Sequence, residues 1–232
     1  MNTARLLILA AAAALLLAGP ARAQQTIYVD FGSPGVGYPT ELANWNNYNN
    51  NTAGYSIVSL VNSNGTPTGI SLTCVKAFAS NSNTGGTNAP LWDYPATAVR
   101  DSQFGARDGW QAGLSETSII RFASLDPAKK YTFTFFACRN GSTDNRETEY
   151  YVAGNNADTL YLNPVWNDAN RVTSAEITPT AGGEIDVRMN RGPNNNNVDR
   201  FYYIGVLEML EIPEPAAMAG VALLMALRLR RA

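Results

Sequence analysis

The chain has 232 residues, of which 45% are hydrophobic and 16% are charged, and it contains two cysteines and no histidine. This length allows one domain, or one domain with targeting segments. Two cysteines are too few for a four-cysteine zinc site, and the lack of histidine excludes His-ligated metals, Ser-His-Asp triads and Cys-His dyads. Most common hydrolase chemistry is therefore excluded before any motif is considered.

The first 23 residues have the parts of a secretory signal peptide. Arg5 is followed by an apolar run of 13 residues over 6–18 and by a Gly-Pro break, after which Ala21 and Ala23 form an A-x-A cleavage site. As a helix this run would be ~20 Å long, which is short of the ~30 Å of a hydrocarbon core. The sequence thus favours a cleaved signal over an uncleaved anchor, and it predicts a mature chain that starts at Gln24.

The C-terminus carries a second targeting pattern, in which three features follow one another. They are a Pro-Glu-Pro motif (Pro213, Glu214 and Pro215), an apolar stretch over 216–227 and an arginine cluster (Arg228, Arg230 and Arg231). The apolar stretch spans only ~18 Å as a helix, so it would cross a membrane with the help of local thinning and of arginines at the interface. A basic cluster on the cytoplasmic side fits the positive-inside rule.

This order of features resembles the PEP-CTERM sorting signal of exported proteins in Gram-negative, biofilm-forming bacteria. The resemblance implies passage through the secretion machinery, a transient anchor in the inner membrane, processing by the membrane enzyme exosortase, and a place at the cell surface or in the extracellular matrix. An ordinary tail anchor or an amphipathic helix is the alternative, although no charge interrupts residues 216–227.

The segment between the two targeting patterns, residues 24–212, is more acidic than the whole chain. The ends contain five of the 17 basic residues and one of the 19 acidic residues, which leaves this segment with a net charge of about −6. Such a charge argues against nucleic acid as a partner, because phosphates require a Lys/Arg surface.

Residues 24–212 show the alternation of β-strands and no sustained helical period. The clearest strand is 131–137, in which Tyr131, Phe133 and Phe135 alternate with threonines. Further strands are predicted over 27–31, 55–61, 70–74, 117–122, 148–153, 158–162, 172–178, 184–189 and 201–210. A tight hairpin is predicted at Gly182-Gly183. The prediction is an all-β, antiparallel β-sandwich of the jelly-roll type, flanked by a signal helix and a C-terminal transmembrane helix.

The interior also resembles a group of exported β-sandwich domains. The segments that carry the resemblance are 29–32 (VDFG), 125–127 (LDP), 131–136 (YTFTFF), 146–148 (RET) and 201–208 (FYYIGVLE). They are similar to segments of the galactose-binding-like and malectin-like jelly rolls. The resemblance implies a fold and assigns no binding residue, because these folds place ligands on variable loops or faces.

Tryptophans outside the alternating strands are the first candidates for contact with a glycan. Trp45, Trp92, Trp110 and Trp166 lie in loop-like stretches, and Trp92 is followed closely by Tyr94. Aromatic rings beside polar groups bind sugars, because the C–H faces of a sugar stack on the ring while the polar groups bond its hydroxyls. The alternative is that these side chains cover the ends of the core.

A polar cluster over 139–147, which includes Arg139 and Arg146, follows the clearest strand. Arginines among carboxylates could orient a polar ligand. The simpler interpretation is a surface hairpin with ion pairs worth ~0–1 kcal/mol each.

Two further pairs are singled out. Asp30 in the first strand and Glu208 in the last would approach each other if these strands pair, and oxygen ligands of this kind hold structural Ca²⁺ in many binding modules. No D-x-D-x-D spacing is present, so two unliganded carboxylates are the simpler interpretation, and no other cofactor is expected. Cys74 and Cys138 are either two buried thiols or a disulfide, which would add ~4 kcal/mol of stability.

Together these observations predict an exported, non-catalytic protein of the cell envelope or extracellular matrix, with no catalytic residue assigned. In the first version it binds carbohydrate and associates with exopolysaccharide. In the second it is a structural or adhesive surface protein without a small-ligand site. A third version, a glycan hydrolase, requires two carboxylates ~5–9.5 Å apart in one cleft, and no such pair can be chosen from sequence.

Overall fold

Strands and turns form most of the described chain. The computed structural model describes residues 25–212, except 36, 87–93, 113 and 115. Its elements, in chain order, are β1 (Thr26–Phe31), β2 (Trp45–Tyr48), β3 (Ser56–Ile57), β4 (Ser71–Lys76), β5 (Ser80–Ser82), α1 (Ala96–Val99), β6 (Ser102–Gly105), β7 (Ser118–Ala123), β8 (Lys130–Phe136), β9 (Thr148–Ala153), β10 (Ala157–Leu162), β11 (Val172–Thr173), β12 (Ile185–Arg191), β13 (Tyr202–Ile204) and β14 (Val206–Ile212).

The strands form three sheets. A five-stranded sheet has the order β11-β8-β14-β1-β2, a six-stranded sheet has the order β10-β9-β12-β7-β4-β3, and a three-stranded sheet has the order β13-β6-β5. The strand pairs are antiparallel, except that β2 runs parallel to β1. The prediction of an all-β fold with antiparallel, sandwich-like sheets is confirmed, whereas the jelly-roll topology stays a prediction.

The main core lies between the five-stranded and six-stranded sheets. Phe133 of β8 packs on Phe122 of β7 with ring centroids 5.4 Å apart, and Phe135 stacks on Tyr150 of β9 at 4.3 Å. Strand alternation places every second side chain of both sheets in this layer. Full burial of a large apolar side chain stabilises the fold by ~1.5–3 kcal/mol, so these rings hold the two sheets together.

A second buried cluster covers the other face of the five-stranded sheet. Trp45 of β2 stacks on Tyr28 of β1 at 5.0 Å, and Tyr94 meets Trp45 edge-on at 5.8 Å. Ala98 and Val99 of α1 complete the cover. The prediction that Trp45 lies in a loop is wrong, because parallel pairing with β1 makes its segment a strand and buries its ring.

The predicted hairpin at Gly182-Gly183 is present as a tight turn, in which the N–H of Thr180 also donates to the carbonyl of Glu184 at 3.0 Å, but the strands on either side of it do not pair. Gly183 has a φ of +73° and forms a turn in which its N–H donates to Thr180. Before this turn, however, Ile177 exchanges hydrogen bonds of 2.8 and 2.9 Å with Tyr131 of β8, while β12 after it pairs with β7 and β9. The flanking segments therefore belong to different sheets.

Three predicted strands are shorter or interrupted. The predicted strands 55–61 and 172–178 are reduced to the two-residue β3 and β11, and 201–210 is divided into β13 and β14 at Gly205. Gly205 lies in a crowded position, where a Cβ atom would meet the carbonyl oxygens of Asp101 and Phe136 at 3.2 Å.

Several predictions concern segments outside the described residues. These are the signal peptide with Ala21, Ala23 and Gln24, the glycan candidate Trp92, and the sorting motif with its transmembrane helix over 213–232. The helix found in the described part of the chain is too short to cross a lipid bilayer.

Candidate functional site

The three-stranded sheet forms one wall of an open cleft of about 320 Å³. We call it the aromatic cleft, and it is lined by Asn81, Ser82, Asn83, Thr84, Phe104, Arg139, Arg146, Phe201 and Tyr203. Its volume is at the lower end of the ~300–1,000 Å³ range of small-ligand sites. Residues 81 and 82 belong to β5, 104 to β6 and 203 to β13, while both arginines lie between β8 and β9.

Three rings supply the apolar part of the cleft. Phe104 and Tyr203 are direct partners in the pairing of β6 with β13, and their centroids are 5.8 Å apart. Phe201 meets Phe104 edge-on at 5.4 Å. Trp110, which is not part of the lining, packs edge-on against Phe104 at 5.8 Å and Phe201 at 5.6 Å. Trp110 therefore supports the aromatic wall.

Arg146 is held firmly against this wall. Its Nε donates to Asp144 at 3.1 Å, its Nη1 donates to the hydroxyl of Tyr203 at 2.5 Å, and its guanidinium lies 5.1 Å from the ring centre of Phe201. Burial opposes ionisation of Asp144, but hydrogen bonds from Asn197 and from Arg146 lower its pKa. Asp144 is thus charged at neutral pH and balances the charge of Arg146.

Arg139, the other arginine of the lining, has neutral partners. Its Nη1 donates to the hydroxyl of Thr84 and to the carbonyl oxygen of Asn140. Its backbone is fixed by a bond of 2.7 Å to the carbonyl of Pro164 and by one of 3.1 Å from the N–H of Trp166. Within the described residues it forms no ion pair.

The loop that carries both arginines is not the hairpin of the simpler interpretation. It leaves β8 in the five-stranded sheet and enters β9 in the six-stranded sheet, so it crosses from one sheet to the other. This crossing brings Arg139 and Arg146 next to the three-stranded sheet.

The residues predicted to contact a glycan lie in different parts of the structure. Arg139 and Arg146 line the cleft, and Trp110 supports its wall. Trp45 and Tyr94 are 7% and 5% exposed in the second cluster, so the structure does not place them in a site.

Sequence reasoning missed the rest of the lining. The sequence predicts Phe201 and Tyr203 only as part of the strand over 201–210, and it does not single out residues 81–84 as candidates. The signal that could have found them is the segment FYYI, because strand alternation puts the side chains of Phe201 and Tyr203 on the same face.

The candidate metal ligands do not form one site. Strands β1 and β14 do pair, with Tyr28 opposite Glu208. Glu208, however, accepts a 3.0 Å hydrogen bond from Tyr94 and lies 3.7 Å from Arg171, whereas Asp30 bonds the N–H of Thr40. No group of three or more metal-binding side chains occurs among the residues that the structure describes.

Asp30 instead belongs to a buried acidic pair with Asp101. Burial raises the pKa of Asp30 to about 7, the charge of Asp101 adds to the shift, and Thr40 and Arg100 oppose it. Burial likewise raises the pKa of Asp101 to about 6, against a hydrogen bond from Ser33. Each carboxyl has one oxygen bonded and one buried oxygen without a hydrogen bond to the described residues.

Both cysteines are free thiols, so the disulfide alternative is not what the structure contains. Cys74 lies in the core between the two large sheets, and Cys138 lies in the second cluster. Burial raises the pKa of the Cys74 thiol to about 11.

A larger polar groove of about 550 Å³ contains two carboxylates. Its lining consists of Glu116, Thr117, Glu149, Tyr161, Asn190, Arg191, Gly192 and Pro193. Glu116 is paired with Arg191 at 2.8 Å and with Arg200 at 2.7 Å, and Glu149 lies 3.7 Å from Arg188. Both carboxylates of this groove are thus engaged by arginines.

Comparison with known proteins finds no family model and no curated sequence that matches this chain. Solved structures that are similar include the ANXUR1 extracellular domain from Arabidopsis thaliana, at 14% identity and a TM-score of 0.43 over 80% of this chain and 47% of that one. A chain in the structure of plant peptide RALF23 in complex with FER and LLG2 has 11% identity and a TM-score of 0.46, over 83% and 50%. A calcium binding mutant of Bacteroides uniformis beta-glucuronidase 2 has 10% identity and a TM-score of 0.45, over 81% and 18%.

The chain thus spans about half the length of the two plant proteins and about a fifth of the glucuronidase. Similarity at these scores and identities does not decide what the chain binds.

Proposed function

We propose that the chain is an exported, non-catalytic protein that binds carbohydrate in the aromatic cleft and so associates with exopolysaccharide. The observation that carries the proposal is the convergence of three aromatic rings, two arginines and several amides and hydroxyls in one cleft. A sugar has apolar C–H faces and a rim of hydroxyls, and it needs both kinds of partner at once.

The lining of the cleft contains both kinds of group. Phe201 and Tyr203 offer ring surface, while Asn81, Asn83 and Arg139 offer donors and acceptors. The guanidinium of Arg146 lies over the ring of Phe201 and holds it in place, so the binding of a ligand costs little conformational entropy.

Affinity electrophoresis of the purified protein through gels that contain different polysaccharides tests this proposal. We expect retention by at least one polysaccharide, loss of retention in Phe201→Ala, and no change in Tyr161→Ala, which removes a half-exposed ring from the other groove. Thermal melting of both variants controls for folding. Failure of the wild type to bind any polysaccharide, including that of its producer, would favour the structural or adhesive alternative.

We further propose that an exosortase sorts the protein through the predicted motif at residues 213–232. The support is the order of Pro-Glu-Pro, apolar stretch and arginine cluster in the sequence. Deletion of residues 213–232 should leave carbohydrate binding intact and should change the location of the protein in fractionated cells. An unchanged location would contradict the sorting proposal without touching the cleft.

A further inference from the structure

The charge of the cleft is opposite to that of the domain around it. Residues 24–212 carry a net charge of about −6. The lining of the aromatic cleft nevertheless contains Arg139 and Arg146 and no aspartate or glutamate among the described residues. A local positive charge on an acidic surface attracts anions to that place alone.

The two arginines differ in how their charge is balanced. Asp144 lies 3.1 Å from the Nε of Arg146 and neutralises it. Arg139 uses its Nη1 for two neutral oxygens, and its Nε and Nη2 form no hydrogen bond to any residue the structure describes. Among the described residues no carboxylate pairs with Arg139, so its charge has no partner there and its Nε and Nη2 keep two parallel N–H groups for a ligand.

In Arg121 of the same protein, the Nε/Nη2 edge of the guanidinium binds a carboxylate. Arg121 donates from Nε to Oδ1 of Asp186 at 2.7 Å and from Nη2 to Oδ2 at 2.9 Å. This two-point contact matches a planar carboxylate, and lysine cannot reproduce it.

We propose that the sugar in the aromatic cleft carries a carboxylate, as a uronic acid does, and that the Nε/Nη2 edge of Arg139 binds that carboxylate. The inference rests on the proposed function and names its ligand class. The sugar ring would lie against Phe201 and Tyr203, and the neutral side chains at 81–84 would bond its hydroxyls.

The test is calorimetric titration of the purified protein with oligosaccharides of glucuronic, galacturonic and mannuronic acid. Each is compared with its carboxyl-reduced, neutral counterpart and with a sulfated neutral oligosaccharide. The variants are Arg139→Gln, Arg139→Lys and, as a matched control, Arg188→Gln, which removes one arginine from the outer face of the six-stranded sheet.

We expect the wild type to bind at least one acidic oligosaccharide about tenfold or more tightly than its reduced form, because a charge-assisted, two-point contact is lost on reduction. Arg139→Gln should abolish this margin and Arg139→Lys should restore only part of it, while Arg188→Gln should keep it. The margin should also shrink as salt is added.

Each other outcome overturns the inference in a recognisable way. If the acidic and the reduced oligosaccharides bind with equal affinity, and if Phe201→Ala loses this binding, the cleft binds neutral sugars and the proposed function is retained. If Arg139→Gln still prefers the acidic over the reduced oligosaccharide, the carboxylate binds to another residue. If sulfated and carboxylated sugars bind equally well, the site is not specific for a carboxylate. No binding of any saccharide would overturn the proposed function as well.

Discussion

The backbone N–H of Trp166 donates a hydrogen bond of 3.1 Å to the carbonyl oxygen of Arg139. Trp166 is also tied through its indole Nε1, which donates to the carbonyl of Ser142 at 2.8 Å. Its φ is +51° and its side chain is 60% exposed. Trp166 therefore has a left-handed backbone and a ring open to solvent, next to an arginine that forms no ion pair with the residues the structure describes.

This position leads to a first prediction on binding. Replacement of Trp166 by alanine should lower the affinity for a saccharide of several units by about two- to tenfold, because one stacking contact is worth ~0.5–1.5 kcal/mol. A single sugar unit, which fits within the cleft, should bind as before. Titration with saccharides of increasing length measures this, with Tyr161→Ala as the control. Equal losses for one unit and for several would contradict a contact that only the longer saccharides make with Trp166.

A second prediction concerns the backbone of the same residue. A side chain with a Cβ in the left-handed region costs about 1–2 kcal/mol, whereas glycine is free of this penalty. Trp166→Gly should therefore be more stable than Trp166→Ala by about 1 kcal/mol. Urea unfolding of the two variants gives the difference directly. A more stable alanine variant would mean that residue 166 does not adopt the left-handed conformation in solution.

A third prediction tests the sheet on which the cleft is built. Gly105 of β6 faces Tyr202 of β13, and a Cβ atom at 105 would lie 1.9 Å from the ring carbon Cζ. Tyr202 is fully buried and cannot move aside. Gly105→Ala should thus destabilise the protein by about 1–3 kcal/mol or more and weaken saccharide binding.

Gly182→Ala is the matched control for this change. Its nearest neighbour beyond the adjacent residues, the hydroxyl of Thr180, would be 3.7 Å from the new Cβ. Its melting temperature should stay close to that of the wild type. Similar losses in both variants would show that the contact with Tyr202 is not the cause.

The central strands could be predicted because each carries its own signal. In β8, Phe133 and Phe135 alternate with threonines, and in β12, Val187 and Met189 alternate with charged residues, as one buried face requires. The same rule failed for Trp45, since β2 has the sequence WNNY and becomes a strand only by pairing with β1. Pairing between distant segments leaves no local pattern.

The cleft lay beyond prediction for the same reason. Its lining comes from residues 81–84, 104, 139, 146, 201 and 203, which meet through the pairing of β5 and β13 with β6 and through the crossing of the loop between β8 and β9. Strands β5 and β6 read SNS and SQFG, which are short and polar and therefore resemble loops. Arg139 and Arg146 could be found because charge next to a strong strand is visible in sequence, whereas Phe201 and Tyr203 were predicted only as part of a strand and Phe104 lay outside the predicted strands.

The buried acidic pair gives a fourth prediction, on the dependence of stability on pH. The pKa of Asp30 is about 7 in the folded protein, against an ordinary value of 3.8, so between these values the folded state binds a proton that the unfolded state has released. The stability associated with this proton is fully present below about pH 4 and is lost as the pH rises to about 7. Asp101, with a pKa of about 6, adds a loss of the same sign.

Asp30→Asn removes the ionisation but keeps a carbonyl oxygen for the N–H of Thr40, which Asp30 bonds at 3.1 Å. At pH 8 the variant should be more stable than the wild type by about 2–4 kcal/mol, and the difference should fall towards zero at pH 4. Some pH dependence should remain, because Asp101 still titrates. Urea unfolding at several pH values measures these free energies. The exposed Asp126, whose carboxylate also accepts a backbone N–H, supplies the control Asp126→Asn, which should show no such gain at pH 8. A wild-type stability that rises between pH 4 and pH 7, with no gain in Asp30→Asn, would mean that Asp30 is ionised in the fold and that its buried oxygen has a charged partner.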